Sequence, residues 1–248
     1  IVFSMLSDEI LEYQSKKRQN KIQLKKNNQI FNDNDTEILF DKVDFYYDEN
    51  QNIGVKNLSL KIKKGEMIGV IGKSGSGKST FANILLKLLQ NQKGEVKFSE
   101  EKLSCAYVPQ DIYLMDASLK DNIAIGEDKS QIDIKKLNDV IEKCDLNQFI
   151  EKHKKGTDLI LGERGIRISG GEKQRIGLAR ALYSEKKIII LDEATSSLDN
   201  QTEFAIMKSI LKFKKEMTII LIAHRLSTLM YCDRVVLFEN GTIKDEGK

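Results

Sequence analysis

The chain has 248 residues, 40% hydrophobic and 31% charged, enough to bury a sizeable core and far from a disordered or collagen-like composition. Forty Lys and Arg face 37 Asp and Glu for a formal net charge of +3, so the composition makes no case for nucleic acid as a partner. Cys105, Cys144 and Cys232 are odd in number, widely separated and free of CxxC or Cys/His spacing, which argues against a disulfide framework or zinc site and for a reducing compartment.

Residues 1–37 differ in kind from the rest of the chain. Ile1, Met5, Ile10, Leu11 and Tyr13 fit one helix face, then come a basic run at 15–21 and an Asn/Asp-rich stretch at 27–35. The segment reads as a helix end feeding a polar linker, or as a solvated N-terminus. With no initiating Met and no signal-peptide architecture, the expectation is a part of a longer protein.

Strand patterns are predicted at 38–45, 55–62 and 67–71, followed at once by a Gly-rich loop and a helix at 79–89 with apolar positions Phe81, Ile84, Leu85 and Leu88. Residues 111–184 read as largely helical, with one stripe through Ile134, Leu137, Val140, Ile141 and Cys144 and a second helix at 170–183 through Ile176, Leu178 and Ala179. Strand, helix, strand, strand then recur at 188–191, 203–215, 218–223 and 235–238. This alternation predicts an α/β fold around a mainly parallel, covered sheet. The longest apolar runs, 188–191 and 219–223, are strand-sized and far below the ~18–20 residues of a membrane helix.

Gly72, Lys73, Ser74, Gly75, Ser76, Gly77, Lys78 and Ser79, with Thr80 following, satisfy the phosphate-loop pattern GxxxxGK[ST] between a strand and a helix. Glycines there let backbone N–H groups wrap an anion, and the helix adds its positive N-terminal end. Lys78 is the candidate for the β- and γ-phosphates, and the Ser79 hydroxyl for Mg²⁺. Asp192 and Glu193 end an apolar strand, at the carboxyl edge where parallel sheets present ligands. By itself such a pair is ordinarily a helix cap with a first-turn acid. Beside a phosphate loop, Asp192 is a candidate Mg²⁺ ligand, direct or through water, and Glu193 a general base for the attacking water.

Between these motifs lies Ser169-Gly170-Gly171-Glu172-Lys173-Gln174-Arg175. The three motifs in this order resemble the nucleotide-binding domain of ATP-binding cassette (ABC) proteins from about residue 38 to the C-terminus. The resemblance implies a P-loop NTPase core, an N-terminal antiparallel β subdomain and a helical subdomain inserted at about 111–184, with residues 1–37 following a membrane domain. It implies that Ser169, Gly170, Gly171 and Glu172 cap the γ-phosphate of ATP held by a second copy, and that Asp199 lies in a loop crossing the dimer interface. His224 fits the switch histidine that donates to the γ-phosphate. Gln110 fits the glutamine that touches Mg²⁺ or the attacking water, with Pro109, the only proline, fixing its approach. Tyr47 aligns with the aromatic on which adenine stacks, and Tyr46 is the alternative if the register slips. The family more often has Leu-Ser-Gly-Gly-Gln; Glu172 in place of that Gln adds negative charge near a polyanion.

Residues 161–165, Leu-Gly-Glu-Arg-Gly, resemble an element of export-type transporters, and the run 162–171 looks similar to lipid-linked oligosaccharide flippases and related lipid exporters, with peptide export next. The implied function is the ATP-hydrolysing motor of an ABC exporter using ATP and Mg²⁺. Its implied partners are a second nucleotide-binding domain, as a homodimer, and a membrane domain of the same polypeptide, at the cytoplasmic face of the cell membrane. The alternatives are a soluble ABC ATPase acting on DNA or ribosomes, for which the chain has neither heptad arms nor a tandem cassette, and a regulatory module without turnover, against which Glu193 and His224 speak.

Overall fold

The computed structural model describes residues 35–48, 53–100, 104–162, 168–194, 198–214, 216–223 and 225–248. Of the expected linker at 1–37, residues 1–34 lie outside them, while Thr36 and Glu37 already belong to the first strand. In chain order the elements are β1 (Thr36–Asp48), β2 (Ile53–Lys63), β3 (Met67–Gly72), α1 (Lys78–Leu85), β4 (Lys93–Phe98), β5 (Cys105–Val108), α2 (Leu119–Ile123), α3 (Ile134–Lys143), α4 (Asn147–Glu151), α5 (Gly170–Tyr183), β6 (Ile188–Asp192), α6 (Asn200–Leu211), β7 (Thr218–Ile222), α7 (Leu226–Leu229), β8 (Arg234–Glu239) and β9 (Thr242–Gly247).

Two sheets carry the molecule. The six-stranded sheet has the order β5-β6-β7-β3-β8-β9, parallel except for the β8–β9 edge pair, and the three-stranded sheet β2-β1-β4 is antiparallel. Strand β6 sends Ile188 and Ile190 into one apolar layer and Ile189 and Leu191 into the other; β7 does the same with Ile220 and Ile222 against Ile219 and Leu221. A strand buried on both faces needs apolar side chains at every position, which is why these runs read as continuous rather than alternating. The expected α/β fold with an antiparallel β unit and a helical insertion is what the chain adopts.

One layer joins the antiparallel sheet to α1. Phe81 of α1 is fully buried, its ring centroid 5.1 Å from Phe40 of β1 and 5.4 Å from Phe238 of β8. Truncating such an aromatic to Ala costs about 3–5 kcal/mol, so this trio fixes the helix that closes the Gly-rich loop. The opposite layer packs α2, α3, α5 and α6 on the sheet. Helices there start at side-chain caps: Ser118 Oγ accepts the Asp121 N–H at 3.2 Å and Asp133 Oδ1 the Lys136 N–H at 3.0 Å.

Several boundaries differ from the sequence pattern. Helix α1 stops at Leu85, because the chain turns left-handed at Lys87 (φ 59°), and Leu88, expected on the apolar face, is 70% exposed. Ile134 is the first residue of α3 and points outward, whereas Leu137, Val140, Ile141 and Cys144 are buried as expected. Helix α6 begins at Asn200 rather than 203, started by the Asp199 cap. Strands β4, β5 and β9 are absent from the sequence reading. The three cysteines are free thiols, and among the described residues no helix is long and apolar enough to cross a membrane.

Candidate nucleotide site

The loop between β3 and α1 lines a cleft of about 180 Å³ together with Ile53, Gly54, Asp192 and Glu193. Lys73, Ser74 and Gly75 are exposed at its tip, Ser76 and Thr80 are buried, and Ser79 is open to solvent. Gly72 has φ 153°, and a Cβ there would lie 2.4 Å from the Phe238 carbonyl oxygen and 2.5 Å from Ser76 Oγ, so the fold admits no side chain at this position. Gly77, in the left-handed region, is the N-cap of α1 and supplies no side chain to its first N–H groups. These donors stay available to an anion at the helix end.

Lys78 is only 7% exposed, and its ammonium donates to the carbonyl oxygens of Gly72 at 2.7 Å and Lys73 at 3.0 Å. Burial lowers its pKa, while the carboxylates of Glu193 and Asp192 pull it upward, which puts both acids within electrostatic reach of the lysine. A loop of N–H donors, one buried cation and two facing carboxylates suits a polyphosphate with a divalent metal. Oxygen donors of the Ser79 hydroxyl and Asp192 carboxylate type fit Mg²⁺, a hard cation that keeps phosphate and water among its ligands.

Asp192 closes β6, in register with Ile222 of β7. The Tyr107 hydroxyl donates to Asp192 Oδ2 at 2.8 Å. Glu193 follows in the left-handed region at φ 50°, a conformation that costs a non-glycine residue about 1–3 kcal/mol. Its N–H bonds the Ile222 carbonyl at 2.9 Å, which holds the turn and takes Glu193 off the strand into the cleft lining. Gln110 has an exposed side chain, and its carbonyl accepts Gln174 Nε2 at 2.7 Å, so the loop after β5 is tied to α5.

A second group of the predicted residues gathers elsewhere. Ser169, Gly170, Gly171, Glu172 and Asp199 do not line the cleft. Ser169 caps α5, with its Oγ accepting the Glu172 N–H at 3.3 Å, and the Glu172 carboxylate takes both the Ser169 N–H at 2.9 Å and its hydroxyl at 2.8 Å. A Cβ on Gly171 would lie 2.5 Å from Thr202 Cγ2, and one on Gly170 would lie 3.5 Å from Leu198, so the head of α5 packs on the head of α6. Asp199 caps α6 by accepting the Gln201 and Thr202 N–H groups, each at 3.0 Å, and the Thr202 hydroxyl at 2.7 Å; these bonds hold its carboxyl below the ordinary range. Arg225 donates to the Leu198 carbonyl and to Glu203 Oε2, both at 2.9 Å, joining the segment after residue 224 to the one before Asp199.

Tyr47 lies on β1, 56% exposed, with its ring edge-on to Phe45 at 4.9 Å. Tyr46 pairs with Gly54 and Asp48 with Ile53, so the Tyr47 strand runs beside the residues that line the cleft. Tyr46 is half-buried, with its backbone N–H and C=O bound by the Gln92 side chain at 2.9 and 3.1 Å, so Tyr47 is the more exposed of the two. His224 and residues 163–165 of the exporter-like element lie outside the described residues. Sequence reasoning passed over Ile53, Gly54 and Tyr107, which belong to none of the three motifs, and gave Gln174, inside the 169–175 run, no role.

Fold and site together define a nucleotide-binding domain of the phosphate-loop class. A family profile for ABC transporters matches residues 55–196, and the chain belongs to the ABC transporter family. It is 36% identical to the ATP-dependent lipid A-core flippase of Pasteurella multocida over 85% of this chain and 38% of the relative. It is 35% identical to the alpha-hemolysin translocation ATP-binding protein HlyB of Proteus vulgaris over 97% of this chain and 34% of that protein. A bacterial Atm1-family ABC exporter solved with ATP bound superposes with a TM-score of 0.78 at 31% identity, covering 90% of this chain and 40% of that one. The chain thus spans little more than a third of the length of these relatives and corresponds to the ATP-hydrolysing domain of ABC exporters. The alternative of a soluble ATPase acting on DNA or ribosomes finds no counterpart among them.

Proposed function

We propose that this chain is the motor domain of an ABC exporter, working as a dimer in which each ATP is shared between one copy's phosphate loop and the other copy's Ser169-Gly170-Gly171-Glu172 segment. The observation that carries this reading is the separation, within one chain, of the loop and acids that line the cleft from the exposed head of α5 that does not. The loop N–H groups and Lys78 hold the phosphates, Tyr47 stacks on adenine, and Ser79, Asp192 and Gln110 hold Mg²⁺. Mg²⁺ supplies charge neutralisation of the phosphate oxygens. Glu193 accepts the proton of the attacking water, and His224 donates to the γ-phosphate. Ser169 and the backbone N–H groups of Gly170 and Gly171 face the partner's γ-phosphate, with Asp199 at the same contact. Closing the dimer drives the membrane domain, which the longer relatives support as part of the same polypeptide, at the cytoplasmic face of the membrane. The names of the flippase and of HlyB divide between lipid A and a protein toxin, which supports a cargo chosen outside this domain, with lipid flipping the first candidate.

Complementation tests the shared site. Lys78→Ala and Ser169→Ala should each be inactive alone, and mixing them should restore ATP hydrolysis, since the mixed dimer keeps one intact pairing of loop and signature. Two mutants that stay inactive on mixing while still forming mixed dimers would overturn the arrangement.

A further inference from the structure

Tyr107 belongs to none of the motifs, yet its hydroxyl is bonded to an acid of the cleft, Asp192 Oδ2, at 2.8 Å. The bond follows from strand register. Tyr107 pairs with Ile190 across parallel β5 and β6, so it shares a face with Ile190 and with Asp192 two residues on, while Ala106 and Val108 turn to the other, buried face. Although Tyr107 is 41% exposed, its phenol reaches the carboxylate rather than extending away from the sheet. A phenol keeps its proton at neutral pH, so Tyr107 is the donor in this bond. A carboxylate rotates about its last side-chain bond, and one donor on Oδ2 fixes that rotation. β5 is the edge strand leading directly into Pro109 and Gln110, so the same bond ties that strand to the acid-bearing one.

We propose that Tyr107 is a positioning residue for the metal-binding carboxylate, holding Asp192 in the rotamer that serves the metal carried with the nucleotide. The inference rests on the proposed role of Asp192 as a Mg²⁺ ligand. Partners that orient a metal ligand from behind typically change metal affinity by about 10–100-fold when removed.

Tyr107→Phe removes one hydroxyl and keeps the ring. The measurement is Mn²⁺ affinity by electron paramagnetic resonance titration of the protein with a non-hydrolysable ATP analogue, alongside binding of the same analogue without metal. Tyr107→Phe should weaken Mn²⁺ by about 10-fold and leave metal-free nucleotide binding unchanged. Asp192→Asn should weaken Mn²⁺ as well, and adding Tyr107→Phe to it should have little further effect, because the hydroxyl acts through the carboxylate. If Asp192→Asn weakens the metal and Tyr107→Phe leaves it within about twofold, Tyr107 is only a packing group and the proposal fails while the Asp192 assignment stands. If Asp192→Asn leaves Mn²⁺ binding unchanged, the assignment fails and the proposal with it. Additive effects of the two substitutions would also overturn it.

Discussion

Ser169 and Glu172 close on each other at the head of α5: the carboxylate accepts the serine amide at 2.9 Å and the serine hydroxyl at 2.8 Å. The charge of Glu172, expected from sequence to repel a neighbouring nucleotide, is therefore already engaged inside its own helix end. In the proposed dimer, competition for the Ser169 proton adds to the charge repulsion expected from the sequence, and the γ-phosphate of a partner's ATP would have to win it. A neutral amide is a weaker acceptor than a carboxylate, charge-assisted bonds being roughly twice as strong. Glu172→Gln should thus promote ATP-dependent dimerisation, seen by light scattering in a Glu193→Gln background, and the gain should persist at high ionic strength. A gain that vanishes with salt would point to long-range repulsion instead.

Glu193→Gln keeps the side-chain volume and the backbone turn at φ 50° but removes the base. General-base catalysis contributes about 10²–10⁴-fold, so hydrolysis should fall by that order while ATP binding remains. Size-exclusion chromatography with Mg²⁺-ATP should show a persistent dimer; a monomer with ATP bound would count against the shared site.

Lys78→Ala should lower ATP affinity by at least about 10-fold, because the loss removes the buried point charge proposed to hold the phosphates. Its stability should change less, since the two carbonyls left behind lie beside the exposed loop tip. Fluorescent-nucleotide titration and thermal melting separate the two effects, and unaltered affinity would contradict the assigned role.

Tyr47→Ala should weaken nucleotide binding by about 1–3 kcal/mol, the range for an aromatic stacked on a base. Tyr46→Ala leaves the Gln92 bonds intact, since they go to backbone atoms, and should change binding little. The reverse result would move the adenine contact to Tyr46.

Gly72→Ala drives a Cβ against the Phe238 carbonyl at 2.4 Å. Overpacking of this kind costs about 1–3 kcal/mol. Chemical denaturation should show that loss before any nucleotide is added; full stability would mean that β3 and β8 can part without cost.

The phosphate loop and the Asp192-Glu193 pair were legible because each is a local device, a few adjacent residues whose types are dictated by one anion or one strand end. Helix α5 was legible for the same reason, and Ser169 followed three residues on by Glu172 is itself a helix-start signal that explains its boundary at Gly170. The Tyr107–Asp192 bond was not legible: it joins residues 85 apart and exists only because β5 lies beside β6. Gly171 reads as a signature glycine, yet its contact with Thr202 gives it a packing reason within its own chain that no motif contains. Strands β4 and β9 escaped because Lys93–Phe98 and Thr242–Gly247 are charged edge strands without the apolar alternation that marks a half-buried one.

The ammonium of Lys78 resting on the carbonyls of Gly72 and Lys73 has a bearing on which nucleotides this domain accepts. Ordering such a side chain costs about 0.5–1.5 kcal/mol, and here the fold has met that cost in advance. A preset cation and a ring of backbone donors respond to phosphate charge and are indifferent to the heterocycle. On the proposed reading, in which the Tyr47 ring stacks on the base, GTP should displace ATP in competition binding at concentrations of the same order. A strong preference for adenine would require a recognition element beyond that ring.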